Sequence, residues 1–536
     1  MNISISQMRG SDLVVSVNRS TSQNYTPRGP INITNDDELA VVATRGMGMV
    51  TDPYIISDWI ITDSPTDGIS ITGTTKHFRI EKCWIVNSTD CGIYVANVAR
   101  GTANIINNTC TNNRRDGIFV GSSAFSTLTD NICNDNGFLT IWGEPLSSGI
   151  TLSNSSSSTI VNNTCTNNDE IGIYLNWSYS PIVANNTCLN NNRIGIYLTD
   201  SHSSSVVNNT CTDNSWEGIF LRGSHFSTTA NNTCVSNRRG IYLDGTIISS
   251  VTNNTCSNND WSGIHLKYSD SLSLVNNTCA NNNEMGIHLD LSSSSIVINN
   301  TCTNNNEMGI HLKDSGSSTL VINICTSNSK TGIYLRNSDY SSLINNTCAN
   351  NNEMGIHLEA SRSSTVINNT CTSNGWDGIN LGASSSSTIA NNTCNSNREG
   401  GIFLYYSDYS SIIWNTMVEN GYYGIGLSRG SANNSIHHNL FINNSPQNPQ
   451  ACDNGTYNQW YDETLGEGNY WSDYSGIGSY RIAGNAGASD PYPIDNPFLP
   501  KKGIDYFSIL IRIGLFLGIL GVLAVTIFLN KRRKSI

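Results

Sequence analysis

The sequence predicts an all-β chain: a parallel β-helix solenoid of about 16 coils with one C-terminal transmembrane helix. Three markers carry the solenoid. From Cys110 to Cys394, thirteen cysteines recur, and ten of the twelve intervals between them are 23 residues. Sixteen Gly-Ile pairs, from Gly68-Ile69 to Gly424-Ile425, keep the same step. An Asn follows each Cys by three residues, at Asn113, Asn136, Asn168, Asn191 and onward to Asn443. Self-similarity at a fixed period of 20–50 residues is the mark of a solenoid or related array.

Each repeat has the form Gly286-Ile-His-Leu, a Ser-rich bend, Ile-Val-Ile, then Asn299-Asn-Thr-Cys302 and an Asn-rich bend. Apolar residues alternate at spacing two in short runs, which is strand periodicity. No segment before the C-terminus carries a helical period. The unit is shorter than a propeller blade of about 40–45 residues and lacks the spacing of a leucine-rich repeat. Three short strands and three bends per coil fit a β-helix. The pleat then sets side-chain direction. Ile and Leu of Gly-Ile-x-Leu face inward, with the second Asn and the Cys of Asn-Asn-Thr-Cys. The first Asn and the Thr face out. Inward Asn residues can stack and hydrogen-bond along the rod, which accounts for 76 Asn without invoking a ligand.

Composition narrows the function. Charged residues are 13% and apolar residues 38%, below the usual values of about 25% and 45–50%. Disorder is excluded by the frequent Ile, Val, Thr, Tyr and Trp and by a net charge of only −12. The pI near 5.2 and scattered basic residues give no footprint for nucleic acid. Met417, Leu440 and Ile85 align with the cysteine slot. Apolar replacements there mark a core ladder of free thiols, which behave as small buried hydrophobes. Scattered disulfides or a metal wire are the alternatives.

The outward position between Ile and Leu holds Phe119, Tyr174, Tyr197, Phe220, Tyr242, His265, His288, His311, Tyr334, His357 and Phe403. Such a stripe can stack on sugar rings, so Tyr174, Tyr197, Phe220 and Tyr242 are candidate glycan contacts. Trp142 joins them from a nine-residue insertion between Asn136 and Gly149, because solenoid insertions map to loops, often on the binding face. Glu284 and Glu307 lie four residues before His288 and His311, a His/Glu set suited to zinc or copper. Glu353 and His357 repeat the spacing, as any duplicated strand surface would. Eleven sequons begin Asn-Asn-Thr, at Asn107, Asn162, Asn185, Asn208, Asn231, Asn253, Asn276, Asn299, Asn345, Asn368 and Asn391. No catalytic constellation stands out, and no cofactor is predicted.

Ile513 to Leu529 is an unbroken run of apolar, Gly and Thr residues, followed by Lys531-Arg-Arg-Lys534. Its length suits a bilayer span, and the positive-inside rule places the tail in the cytoplasm and the rod outside. No export signal is visible at the start, so a tail-anchored chain of opposite topology is the alternative. The organisation read is an N-terminal cap over 1–50, repeats over 51–445, an exit cap and juxtamembrane segment over 446–503, a span over 504–530 and a basic tail over 531–536. The partners expected are the lipid bilayer and, along the rod, glycans or neighbouring envelope proteins.

The Gly-Ile-x-Leu…Asn-Asn-Thr coils resemble the repeats of the NosD-like group, in its archaeal-type membrane-anchored surface forms. So do the opening segment Asp52-Pro-Tyr-Ile-Ile-Ser-Asp-Trp59 and the closing segment Gly468-Asn-Tyr-Trp-Ser-Asp-Tyr474. The resemblance implies a right-handed parallel β-helix. It also implies a range of functions: copper-site maturation, carbohydrate binding, carbohydrate-active lyase, hydrolase or epimerase chemistry, and surface display. Where relatives carry an Asp/Gly-rich stretch after the closing segment, this chain has Gly476-Ile-Gly-Ser-Tyr-Arg-Ile-Ala-Gly484, so a calcium site does not carry over.

Overall fold

A computed structural model describes residues 25–137, 147–445 and 449–495. It is a right-handed parallel β-helix of about 17 turns. Three parallel sheets of 19, 18 and 17 strands run along it, and each strand pairs with its counterparts one turn before and one turn after. One sheet carries the cysteines, the second carries Gly-Ile-x-Leu and the third carries the short Ile-Val-Ile-like strands. Rungs begin at Thr26–Pro27 and Ile31–Ile33 and continue to Tyr470–Trp471.

The interior is built as the alternation requires. Ile264, Leu266, Leu274 and Cys279 represent one turn, and all are fully buried. The thiols stack in register, Cys110 on Cys133 through Cys371 on Cys394. Ile85 precedes them in the slot and Met417 follows. No disulfide links them, and fifteen of the sixteen cysteines are buried. Burial pushes thiols such as Cys211 and Cys234 far above their ordinary range. S–H donation from the turns on either side pulls Cys165, Cys279 and Cys348 the other way, but a thiolate there would still be a charge buried among apolar side chains, so the ladder is one of neutral S–H groups.

Two columns of asparagine tie the turns together. Asn277 shows the pattern. Its Oδ1 accepts from the backbone N–H and the Nδ2 of Asn254, both at 3.0 Å. Its Nδ2 donates to Asn300 Oδ1 at 2.9 Å and to the Val251 carbonyl at 2.8 Å. The column runs from Asn108 to Asn469. The second column, formed by the Asn that trails each Cys, runs from Asn113 to Asn444 in the same way. A serine column, with Ser178 N–H donating to Ser201 Oγ at 3.1 Å, does the same at a third corner. The corners themselves demand positive φ, as at Asn276 (58°) and Asn281 (55°). Asn tolerates that conformation better than other side chains. The glycine of Gly-Ile is required for a different reason: a Cβ on Gly263 would lie 2.8 Å from the Gly286 carbonyl and 2.9 Å from Asn282 Nδ2.

Two details of register depart from the sequence reading. The penultimate turn is 24 residues long, as the Asn415-to-Asn439 and Asn420-to-Asn444 bonds record. Phe441, not Leu440, therefore fills the slot after Met417, and Asn444, not Asn443, continues the ladder. A helix also exists where no helical period was read, at Asp36–Val42. Seven residues are too few for a period. Its start is made locally, with Asn35 Oδ1 accepting from Glu38 N–H while Glu38 accepts from Thr34 N–H. Leu39 seals the N-terminal end of the core. At the other end Trp471 is sandwiched between Phe441 and Tyr480, at 4.1 and 4.0 Å, and its indole donates to Asp490.

Among the described residues no helix is long and apolar enough to cross a membrane. The predicted span over 504–530 and the basic tail lie outside the described residues, as does Trp142.

The folded chain should therefore titrate about one thiol, Cys452, with a maleimide or disulfide reagent, because the other fifteen need the turns to open before the thiolate can form. Denatured protein should titrate sixteen without reductant. A lower count, restored by reductant, would reveal disulfides.

Candidate functional site: the outer face of the Gly-Ile sheet

The outward position of the Gly-Ile strands forms a column. Nine rings follow without a break, from Tyr174 on Tyr197 through to Tyr334 on His357. Their neighbouring centroids are 4.6–5.2 Å apart, and His288 and His311 are parallel to within 1°. Thr151, Asn380 and Gly426 interrupt the wider series, while Tyr94 and Phe119 stack separately.

The stack changes what this stripe can do. Outward-pointing rings are expected to be exposed, yet Tyr197, His265 and His311 retain only 7–9% exposure. Each ring covers the flat face of the next. Tyr174, Tyr197, Phe220 and Tyr242 thus offer edges rather than faces to a sugar. Burial holds His265, His288, His311 and His357 well below the ordinary imidazole range, at about 2, 4, 3 and 4, with the neighbouring imidazole adding to the effect at His265 and His311. They are neutral at physiological pH.

Exposed aromatic rings lie instead on the two bends bordering the sheet. Trp177, Tyr268 and Tyr340 follow the strands and are more than half exposed, while Trp216 and Trp376 precede them. The preceding bend stacks cations on these rings, with Arg193 4.2 Å over Trp216 and Arg238 3.6 Å over Trp261. The far end of the strands carries a row of mostly alternating charge: Arg222, Asp244, Lys267, Asp290 and Lys313 in register. An open depression of ≈ 630 Å³ lies among Arg222, Asp244 and Tyr268.

The His/Glu set does not converge. Glu307 pairs with Lys330, and Glu284 stands on the bend two residues before the glycine while His288 lies on the strand. Lone pairs of parallel stacked imidazoles lie in parallel planes, so His288 and His311 cannot aim at one ion. Among the described residues, groups of three potential metal ligands occur elsewhere, at Asp67, Asp90 and Cys91 and at His437, His438 and Asp462. The first lies beside the buried Asp116, whose carboxyl burial pushes up to about 7. Asp67 rises to about 6 through burial and the nearby Asp90, which itself pairs with Arg115.

Sequence reading missed both groups. The signal was there: His437-His438 stands where preceding turns carry Ile413-Trp414 and Ala390-Asn391, a change of chemistry inside the repeat. The eleven sequon asparagines form one corner row, all with φ of 53–58°, and ten of them are exposed. Apart from the breaks at Asp130 and Ile322, they stand one strand spacing apart, about 4.8 Å, and a substituted pyranose is broader than that. Glycans on every successive turn would collide.

The architecture is that of the right-handed parallel β-helix proteins. The profile of the family described as "Periplasmic copper-binding protein (NosD)" matches residues 217–353 and 324–476, and that described as "Right handed beta helix region" matches 67–233. The chain belongs to this NosD-like family of β-helix repeat proteins. Among solved structures it is similar to the mannuronan C-5 epimerase AlgE4 A-module of Azotobacter vinelandii, at 12% identity. That alignment covers 71% of this chain and 90% of that one, with a TM-score of 0.35. The periplasmic alginate epimerase AlgG matches at 12% identity, over 78% and 85% of the two chains, with a TM-score of 0.30. The Dettilon tailspike protein matches at 15%, over 65% and 61%, with a TM-score of 0.31. At these values the likeness is one of coiled β architecture. No curated protein matches by sequence.

The imidazoles make the rod acid-sensitive. Their folded pKa values lie below the unfolded value of about 6.5, so the unfolded chain takes up protons first and stability falls as pH drops through 6.5 toward 4. Each buried histidine contributes a slope of at most about 1.4 kcal/mol per pH unit. His288→Asn with His311→Asn, which copies the natural Asn380 of the same column, should flatten that slope in urea titrations at pH 7 and pH 5. An unchanged slope would contradict the assignment.

Proposed function

We propose that this protein is a membrane-anchored rod on the outside of the cell, whose Gly-Ile face binds glycans or neighbouring envelope components. The observation that carries the reading is a set of exposed aromatic rings spaced along both bends of one sheet, Trp177, Tyr268 and Tyr340 on one and Trp216 and Trp376 on the other, beside stacked Arg groups and a charge row. Apolar rings next to hydrogen-bonding charge suit a sugar polymer, and their spacing over several turns suits an extended one. The apolar run over 513–529 and the basic residues after it support anchoring with the rod outside. The sequon corner, on a different edge from this face, leaves it clear of any attached sugars.

A second reading is a carbohydrate-active enzyme. It is favoured by one observation: Asp67, raised to about 6 by burial and by the nearby Asp90, which pairs with Arg115. A carboxyl raised toward neutral pH beside a second carboxyl suits general acid chemistry on a glycosidic bond.

A glycan array probed with residues 1–500 separates the two. Binding should weaken roughly tenfold when Trp177 and Tyr268 are changed to Ala, since each aromatic contact is worth about 0.5–1.5 kcal/mol. The stacked Tyr174, Tyr197 and Tyr242, which offer only edges, should matter less. Binding indifferent to all five would contradict the reading. Product released from a polysaccharide, and abolished by Asp67→Asn, would replace it with the enzyme.

A further inference from the structure

The last turns of the rod depart from the repeat in a way the glycan reading does not use. His437 and His438 occupy consecutive positions at the end of a third-sheet strand, His437 in register with Ile413. His438 stands at the corner, in left-handed conformation (φ 58°). Thr456 to Trp460 still pair with the preceding turn, and the chain then leaves the rod between Trp460 and Gly468, so that 30 residues rather than 23 separate Asn439 from Asn469 in the ladder. This excursion brings Asp462 and Glu467 back against the two histidines.

The side chains are held in place before any ligand arrives. The His438 ring is stacked on Trp414 at 4.2 Å and 16°. Its Nε2 meets Glu467 Oε2 at 3.0 Å, with the His438 side chain 2% exposed. Commitment of the Nε2 proton to that carboxylate leaves the Nδ1 lone pair facing His437 Nδ1, 2.6 Å away. On the other side, the backbone N–H groups of Thr464 and Leu465 fix Asp462 Oδ1 at 2.8 and 3.1 Å. Ligand atoms of His437, His438 and Asp462 lie within 4.8 Å of one another. A carboxylate behind a histidine, holding its tautomer and ring plane, is the outer-shell arrangement that accompanies most imidazole–metal bonds.

From this geometry we infer that His437, His438 and Asp462 bind one divalent transition ion, with Glu467 as positioning residue, clamping the 461–467 excursion onto the end of the rod. Two neutral imidazoles and one carboxylate suit zinc or copper and offer too few oxygens for calcium. Copper, named in the family description, fits here and not in the cysteine ladder, whose fully buried thiols leave an ion no way in. Bonds of 2.0–2.1 Å at a tetrahedral ion require the two Nδ1 atoms to open to about 3.3 Å. His437 is only partly buried and can turn by that amount, whereas the stacked His438 stays.

The test is calorimetric titration of the whole chain with Zn2+, with Cu2+ and with Ca2+, alongside hydrogen exchange of the C-terminal turns. The expected result is one transition ion per chain, no competition from Ca2+, and slower exchange of the excursion amides once the ion is bound. Asp462→Asn and His437→Gln should abolish binding. Glu467→Gln should weaken it about 10- to 100-fold while leaving the stoichiometry at one. His437→Gln lies at the partly exposed position, so its circular dichroism and melting without metal should match the parent and separate lost binding from lost folding. No binding of either transition ion, or binding unchanged in Asp462→Asn and His437→Gln, would overturn the site. The latter outcome would move the ion to Asp67, Asp90 and Cys91.

Discussion

The asparagine amide ladder is the constraint on which the rest of this structure depends. Apolar burial supplies the larger share of the driving force, since every turn hides about four aliphatic or thiol side chains worth roughly 1.5–3 kcal/mol each when fully buried. Burial is non-directional, however, and does not choose a register. Side chains alternate with period two, so a slip of one residue would turn each inward Ile to solvent. The amides forbid the slip. Each asparagine both donates to and accepts from the neighbouring turns, and its amide adds a further bond to a backbone carbonyl of the preceding turn, as Asn277 does at Val251. One residue type also tolerates the left-handed corners. The compositional bias is thus the joint solution of two backbone problems.

From that frame follow the features of the surface. Strict register places the side chain between Ile and Leu one strand spacing from its counterparts, which is close to the thickness of stacked aromatic rings. Rings placed there cover one another. The column from Tyr174 to His357 therefore strengthens the rod and keeps its histidines neutral, while recognition shifts to the bends, where Trp177, Tyr268 and Tyr340 stand apart. Repetition gives stiffness, and chemistry collects where repetition fails. Asp67 and Asp90 lie at the beginning of the rod, and His437, His438 and Asp462 lie at its end.

Much of this was legible in the sequence. The 23-residue phase of Gly-Ile, Cys and the trailing Asn reveals the coil, and alternation reveals which way Cys279 and Asn277 point. Other features were hidden for physical reasons. The 24-residue turn that replaces Leu440 by Phe441 changes no residue type in the pattern, so only pairing exposes it. The Asp36–Val42 helix arises from one reciprocal cap and has no period to detect. Ring-face burial at Tyr197 depends on the distance between turns, which spacing along the chain does not contain. The His437–Asp462 approach bridges an excursion whose path no repeat dictates.

The most direct measurement of the central claim compares two neighbouring side chains from the middle of the rod in guanidinium unfolding at neutral pH. Asn277→Ala breaks the ladder: the buried Asn254 N–H loses its acceptor, at about 1–3 kcal/mol, and three further hydrogen bonds are lost, at about 0.5–1.5 kcal/mol each. Cys279→Ala removes one sulfur from the same turn, at about 1–2 kcal/mol. If the amide ladder sets the register, Asn277→Ala should cost about 3 kcal/mol or more, exceed Cys279→Ala, and raise hydrogen exchange in the flanking turns at Asn254 and Asn300. Equal costs, or a greater loss from Cys279→Ala, would contradict the account and assign the register to apolar packing.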